Sequence, residues 1–123
     1  MMTKRLKVVW LGFLFSSVLV GCVQAPKPMY HWEAYERQLY ENFKGGDGTN
    51  PEAQLLAMET SAQKASAAGS QLPPGFRAHM GLLCLKLGRD ADAEQYLLAE
   101  KERFPESAQY MDFLLKRMKV AAK

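Results

Sequence analysis

Residues 74–107 read PGFRAHMGLLCLKLGRDADAEQYLLAEKERFPES, and the organisation of the chain follows from them. Phe76, Met80, Leu83, Cys84 and Leu87 recur at the spacing of one helix face, which predicts a helix over 76–87. Gly88 follows the last apolar residue, where a left-handed cap closes a helix. Asp90, Asp92 and Glu94 then open a second helix at the end where carboxylates meet the positive pole of the helix dipole. Ala93, Leu97 and Phe104 are its inward positions, and Pro105 stops it. Gly81 and Ala93 are small, and two helix backbones approach closely only where side chains are small. The stretch therefore reads as a helical hairpin.

This hairpin resembles one tetratricopeptide (TPR) repeat, a 34-residue helix–turn–helix with a Leu-Gly pair, an early Ala in its second helix and a closing Pro. Met80-Gly81 takes the Leu-Gly place, Gly88 sits in the turn, Ala93 and Leu97 take the Ala-x3-Phe places, and Pro105 closes the unit. Arg77 stands where Trp is usual and Cys84 where Tyr is usual. Gly81, Gly88, Ala93 and Pro105 are thus the expected structural residues of the repeat.

Upstream, Asn50 is a candidate N-cap, Pro51 suits the first helical turn and Glu52 suits the positive helix end. A helix is predicted from there to about Ala68, with Leu55, Met58, Ala62 and Ala65 inward; Gly69-Ser70 and Pro73-Pro74-Gly75 break it. Before it, Trp32, Tyr35, Leu39 and Phe43 form a stripe that predicts a helix over 30–44. After the hairpin, Met111, Leu114, Leu115 and Met118 predict a fifth helix over about 106–120. No stretch alternates with period two. The expected fold is all-α: about five helices as stacked antiparallel pairs over residues 30–120, TPR-like, with a divergent first pair and a C-terminal capping helix.

The N-terminus carries a different signal. Lys4, Arg5 and Lys7 precede an uncharged apolar run from Val8 to Val20, which is short for a membrane-spanning helix of roughly 20 residues. A basic start, a short apolar run and a small-residue end describe a secretory signal peptide, here residues 1–21. Leu19-Val20-Gly21-Cys22 matches the bacterial lipobox: cleavage between Gly21 and Cys22, and a Cys22 thiol that takes a diacylglycerol as a thioether. Covalent N-acyl and S-diacylglycerol groups on Cys22 are expected; no other cofactor is. Residues 22–29 form the lipidated Cys and a tether in which Pro26 and Pro28 favour extended backbone. Seven such residues reach at most ~25 Å. Under the enteric sorting rule, Val23 in place of Asp favours the inner leaflet of the outer membrane, facing the periplasm, if the cell is Gram-negative.

Processing also changes the charge. The precursor carries a formal +3, but its three N-terminal cations leave with the signal peptide, so the chain from Cys22 onward has 13 basic and 13 acidic residues. Nothing in that balance calls for nucleic acid, which would want a basic patch. Cys84 is left without a cysteine partner and is expected to be buried.

Nearly all of residues 30–118 also resemble a family of short bacterial lipoproteins, domain of unknown function 4810. Tyr30-x-Trp32-x-x-Tyr35, Gln38-Leu39-Tyr40, Pro73-Pro74-Gly75, Gly81, Gly88 and Pro105-Glu106-Ser107 with Met111 carry that resemblance. It implies an envelope complex, since members are encoded beside a CsgG-like lipoprotein and a third small lipoprotein. It implies no catalytic residues.

His31 and His79 have no metal-spaced partners, and read as a surface residue and a flank of a packed helix. Gly45-Gly46-Asp47-Gly48 lacks the P-loop and EF-hand endings and reads as an interhelix turn. The charges from Asp90 to Glu106 read as a solvated helix face. No nucleophile–base pair points to an enzyme or a small-molecule substrate. Core packing accounts for the Trp32 stripe, with Tyr30 and Tyr40 beside it. The edge formed by Tyr30, Trp32 and Tyr40, with the concave face of the helix pairs, is the candidate partner site. The leading expectation is a lipid-anchored cell-envelope adaptor that binds another envelope protein, such as a CsgG-like lipoprotein. The alternative is a peptidoglycan-associated binding module or an activator of a peptidoglycan synthase.

Overall fold

The computed structural model describes residues 25–45 and 50–121. The segment read as a signal peptide, with Gly21, and Cys22 and the first residues read as a tether lie outside the described residues, as do Gly46, Asp47 and Gly48 of the expected interhelix turn. Among the described residues there are five α-helices and no strand: α1 (Tyr35–Lys44), α2 (Pro51–Ala67), α3 (Phe76–Lys86), α4 (Asp90–Arg103) and α5 (Ala108–Ala121), with a 3-10 turn at Pro105–Ser107 between the last two. Each helix packs on the next, which makes the chain a set of stacked helix pairs. No described helix is long and apolar enough to cross a membrane.

Helix ends follow local chemistry. The Asn50 side chain accepts from the backbone N–H of Glu52 at 2.8 Å and of Ala53 at 3.3 Å, with Pro51 in the first turn. Those two donors would otherwise lack partners at the helix start. Gly88 adopts φ +70°, and the Arg89 N–H donates back to the Cys84 carbonyl at 2.9 Å, closing α3 as a left-handed cap.

Two helices differ at their starts from the reading of the sequence. The first helix begins at Tyr35, not at residue 30. Residues 30–32 form a strap that turns into the helix at Glu33-Ala34: Tyr30 makes an isolated parallel bridge with Gln71, and the His31 N–H donates to the Gln71 carbonyl at 2.8 Å. A long-range backbone bond outcompetes the first helical turn there. The last helix begins at Ala108, because Pro105–Ser107 tightens into a 3-10 turn in which the Ser107 hydroxyl donates to the Phe104 carbonyl at 2.7 Å.

The core centres on α3. Phe76, Met80, Leu83 and Cys84 pack with Leu55 and Met58 of α2, Ala93 of α4 and Tyr35 of α1. On the other side, Ala78 joins Leu97, Met111 and Leu115. Each fully buried Phe, Leu or Met contributes about 1.5–3 kcal/mol. Gly81 lets α3 and α4 close up: a Cβ there would lie 3.1 Å from Leu97 Cγ and 3.3 Å from the Ala93 carbonyl oxygen.

The expected Trp32–Tyr35–Leu39–Phe43 core stripe is corrected. Tyr35 is buried and Leu39 half-buried, but Trp32 is exposed and Phe43 is 78 % exposed. The α1 helix is an end helix with α2 as its main neighbour, so much of its apolar stripe has nothing over it.

Candidate interaction surfaces

The strap gathers a string of rings. Tyr30 meets Trp32 edge-on at 6.2 Å and Phe104 at 6.3 Å; Trp32 stacks on Tyr35 at 6.1 Å, and Tyr35 lies 5.5 Å from Phe76. Tyr30 therefore ties the strap to the end of α4 and is half-buried, while Trp32 keeps one face open. Tyr40 stands apart on the outer side of α1, 63 % exposed, with the Lys44 ammonium 5.9 Å from its ring centre. Of the three aromatics expected to act together, Tyr30 and Trp32 meet in the strap, whereas Tyr40 stands on another surface.

His31 is half-buried and holds Glu33 at 2.7 Å, and Lys64 of α2 reaches the same carboxylate at 2.6 Å. These bonds, the Lys64 one first, hold the Glu33 carboxyl below the usual carboxylate range. They fasten the strap to α2. His79 is more than a flank: it is buried, and its Nε2 has no hydrogen-bond partner. Burial pushes its pKa down, so the neutral ring is favoured. Cys84 is fully buried, and burial pushes its thiol up, away from the reactive thiolate.

Glu100 overturns the reading of α4 as an all-solvated charged face. It is 1 % exposed and accepts from the backbone N–H of Gly75 at 2.5 Å and of Arg77 at 3.2 Å. The start of α3 has no side-chain cap of its own. Its orphan donors take their acceptor from the last turn of the neighbouring helix, where a carboxylate also suits the positive helix pole. In the sequence Glu100 is one of several charges; only its helical register with Ala93 and Leu97 hints that it faces inward.

Two grooves flank the core. One, about 640 Å³, lies among α2, α3 and α4 and is mixed in character, with Gln63, Gln71, Arg77, Tyr96 and Arg103 beside Ala62, Leu72 and Met80; Arg103 donates to the Gln71 side chain. The other, about 670 Å³, lies where α3, α4 and α5 converge. It is lined by Leu85, Ala91, Leu114, Leu115 and Met118 together with Asp90, Glu94, Arg117 and Lys119, and Lys119 pairs with Glu94 at 3.8 Å.

The outer side of α5 is a surface that the sequence reading passed over. Tyr110 and Phe113 stack at 6.4 Å, the Arg117 guanidinium lies 5.5 Å from the Phe113 ring, and Val120 continues the line. All three apolar side chains are more than half exposed. The signal was available: Tyr110, Phe113, Arg117 and Val120 fall on one helix face, separate from the Met111–Leu115 face.

Among the described residues, no group of three His, Cys, Asp or Glu side chains could hold a metal ion. A family model described as domain of unknown function (DUF4810) matches residues 29–114. No curated protein matches the chain, and no solved structure does.

Proposed function

This chain belongs to the DUF4810 family, which is defined without an activity, and from that premise we propose a lipid-anchored cell-envelope adaptor whose TPR-like helical domain binds another envelope protein. The observation that carries the reading is the apolar groove among α3, α4 and α5. Its lining of Leu, Ala and Met side chains, with acids contributed by α4 and bases by α5, suits the apolar face of an amphipathic helix. These charges fix the direction of such a helix more than they add affinity. The partner we favour is a CsgG-like lipoprotein, the companion that the sequence resemblance implies. Cys22 supplies the anchor, through diacylglycerol and N-acyl chains, at the inner leaflet of the outer membrane.

A photo-crosslinking residue at Ala91, on the groove, tests this in the full chain in cells. The expected product is one adduct with the CsgG-like lipoprotein, absent from cells that lack that protein. A folded, membrane-associated variant that gives no such adduct counts against the reading. Cys22→Ser is expected to abolish incorporation of labelled palmitate; unchanged labelling would remove the anchor.

The groove among α2, α3 and α4 favours a second reading, as a peptidoglycan-associated module or an activator of a peptidoglycan synthase. Arg77 and Arg103 beside Gln63, Gln71 and Tyr96 offer donors to the carboxylates and amides of stem peptides. Cosedimentation of the protein with purified sacculi, weakened by Arg103→Ala, is the expected signature. No sedimentation above background would dismiss it.

A further inference from the structure

We infer that the two end helices of the stack are complementary surfaces, so that a second copy of this chain packs the outer face of its α1 against the outer face of α5. The terminal helix of a helical stack ordinarily turns a polar side to solvent. Here α5 turns out Tyr110, Phe113 and Val120, and at the opposite end α1 turns out Tyr40 and Phe43.

The spacing of the two stripes is the argument. Along α1 the order is Glu36, then Tyr40 four residues on, then Phe43 three residues on. Along α5 it is Tyr110, then Phe113 three residues on, then Arg117 four residues on. Laid antiparallel, the two series coincide: Phe43 meets Tyr110, Tyr40 meets Phe113 and Glu36 meets Arg117. Among the described residues, neither Glu36 nor Arg117 has an ion-pair partner within its own chain. At about 100° per residue, Arg37 and Lys116 fall on opposite flanks of this seam, so these two cations are kept apart. Aromatic side chains at the centre with a charge pair at the margin is the pattern of a specific protein contact. The two faces belong to different ends of the molecule, so the contact is head-to-tail. Each added copy leaves one face of each kind open, and the product is a ring or a growing row rather than a closed dimer. The groove assigned to the envelope partner shares only Arg117 with this face, and the inference does not rest on that reading.

The test uses full-length chains in cells. One strain makes the Phe43→Cys chain, a second the Tyr110→Cys chain, a third both chains together, and a fourth the chain with both substitutions. The expected result after oxidation is no disulfide dimer in either single strain, a dimer in the mixed strain, and a ladder of dimer, trimer and higher species from the double variant. Arg117→Glu added to the double variant is expected to remove the ladder, and Glu36→Arg added to that is expected to restore it. The substituted positions are exposed, so loss of folding does not mimic the outcome. A double variant that stays monomeric overturns the inference. So does a Tyr110→Cys chain that dimerises by itself, because that would mean a symmetric contact. A ladder that is indifferent to the charge reversals overturns the stated register.

Discussion

The helices α1 and α3 carry apolar stripes of equal regularity, and they come to different ends. In α3, Phe76, Met80, Leu83 and Cys84 are all buried. In α1, the same spacing yields one buried ring, Tyr35, while Phe43 stands in solvent. The difference is position. The α3 helix lies between α2 and α4, and α5 reaches its Ala78 side; α1 closes the stack and rests mainly on α2. Periodicity reports that a helix has an apolar face, but a second helix must lie over that face before it becomes core. An end helix with such a face uncovered is either a site or a liability.

The largest expected effect sharpens this contrast directly. Phe76→Ala should lower unfolding stability by about 3–5 kcal/mol, whereas Phe43→Ala should stay within about 0.5 kcal/mol. Urea titration of the two variants, at a concentration low enough to keep the chain monomeric, measures both, and equal losses would mean that α1 is covered within a single chain. Next comes the carboxylate that joins α4 to α3. Glu100→Ala leaves the Gly75 and Arg77 N–H groups without their acceptor and should cost about 1–3 kcal/mol. Glu100→Gln keeps an acceptor oxygen and should lose less; if it loses as much, the charge rather than the bond is what matters.

The strap offers a smaller, local effect. Tyr30→Ala removes two edge-on ring contacts worth roughly 0.5–1.5 kcal/mol each. It should speed hydrogen exchange at the His31 amide, which donates to Gln71, and leave the Leu97 amide in α4 unchanged. Uniform acceleration would show that the strap is part of the global unit. The gentlest probe is pH. His79 is depressed in the folded state, so the unfolded chain binds the proton first. Stability should be full above the ordinary value of 6.5 and fall as pH drops below it toward the depressed folded value. His79→Leu should flatten that slope between pH 6.5 and 5.5; an unchanged slope would place its origin elsewhere.

Much of the architecture was legible in the residues. The five helices, the left-handed Gly88, the Asn50 cap, the buried Cys84 and the close approach at Gly81 all follow from spacing and side-chain size. The candidate surfaces were less legible. Tyr30 looked free because an edge position on a helix predicts exposure; in the strap it packs on Phe104, which is far away in sequence. Tyr110 and Phe113 drew no attention because the neighbouring Met111 and Leu115 already accounted for α5 as an amphipathic helix.

The sequence by itself determined most helix ends, because caps, prolines and left-handed glycines act on backbone within a few residues; the start of α1 was decided by the pairing of the strap with Gln71. The sequence also determined which faces are apolar, because that is a property of one helix. Tertiary structure alone decided which of those faces are covered. It made Glu100 a buried cap, drew residues 30–32 into a strap against Gln71, and left α1 and α5 with aromatic faces in solvent. Each of these outcomes depends on what a distant segment places opposite a residue, and no local pattern carries that information.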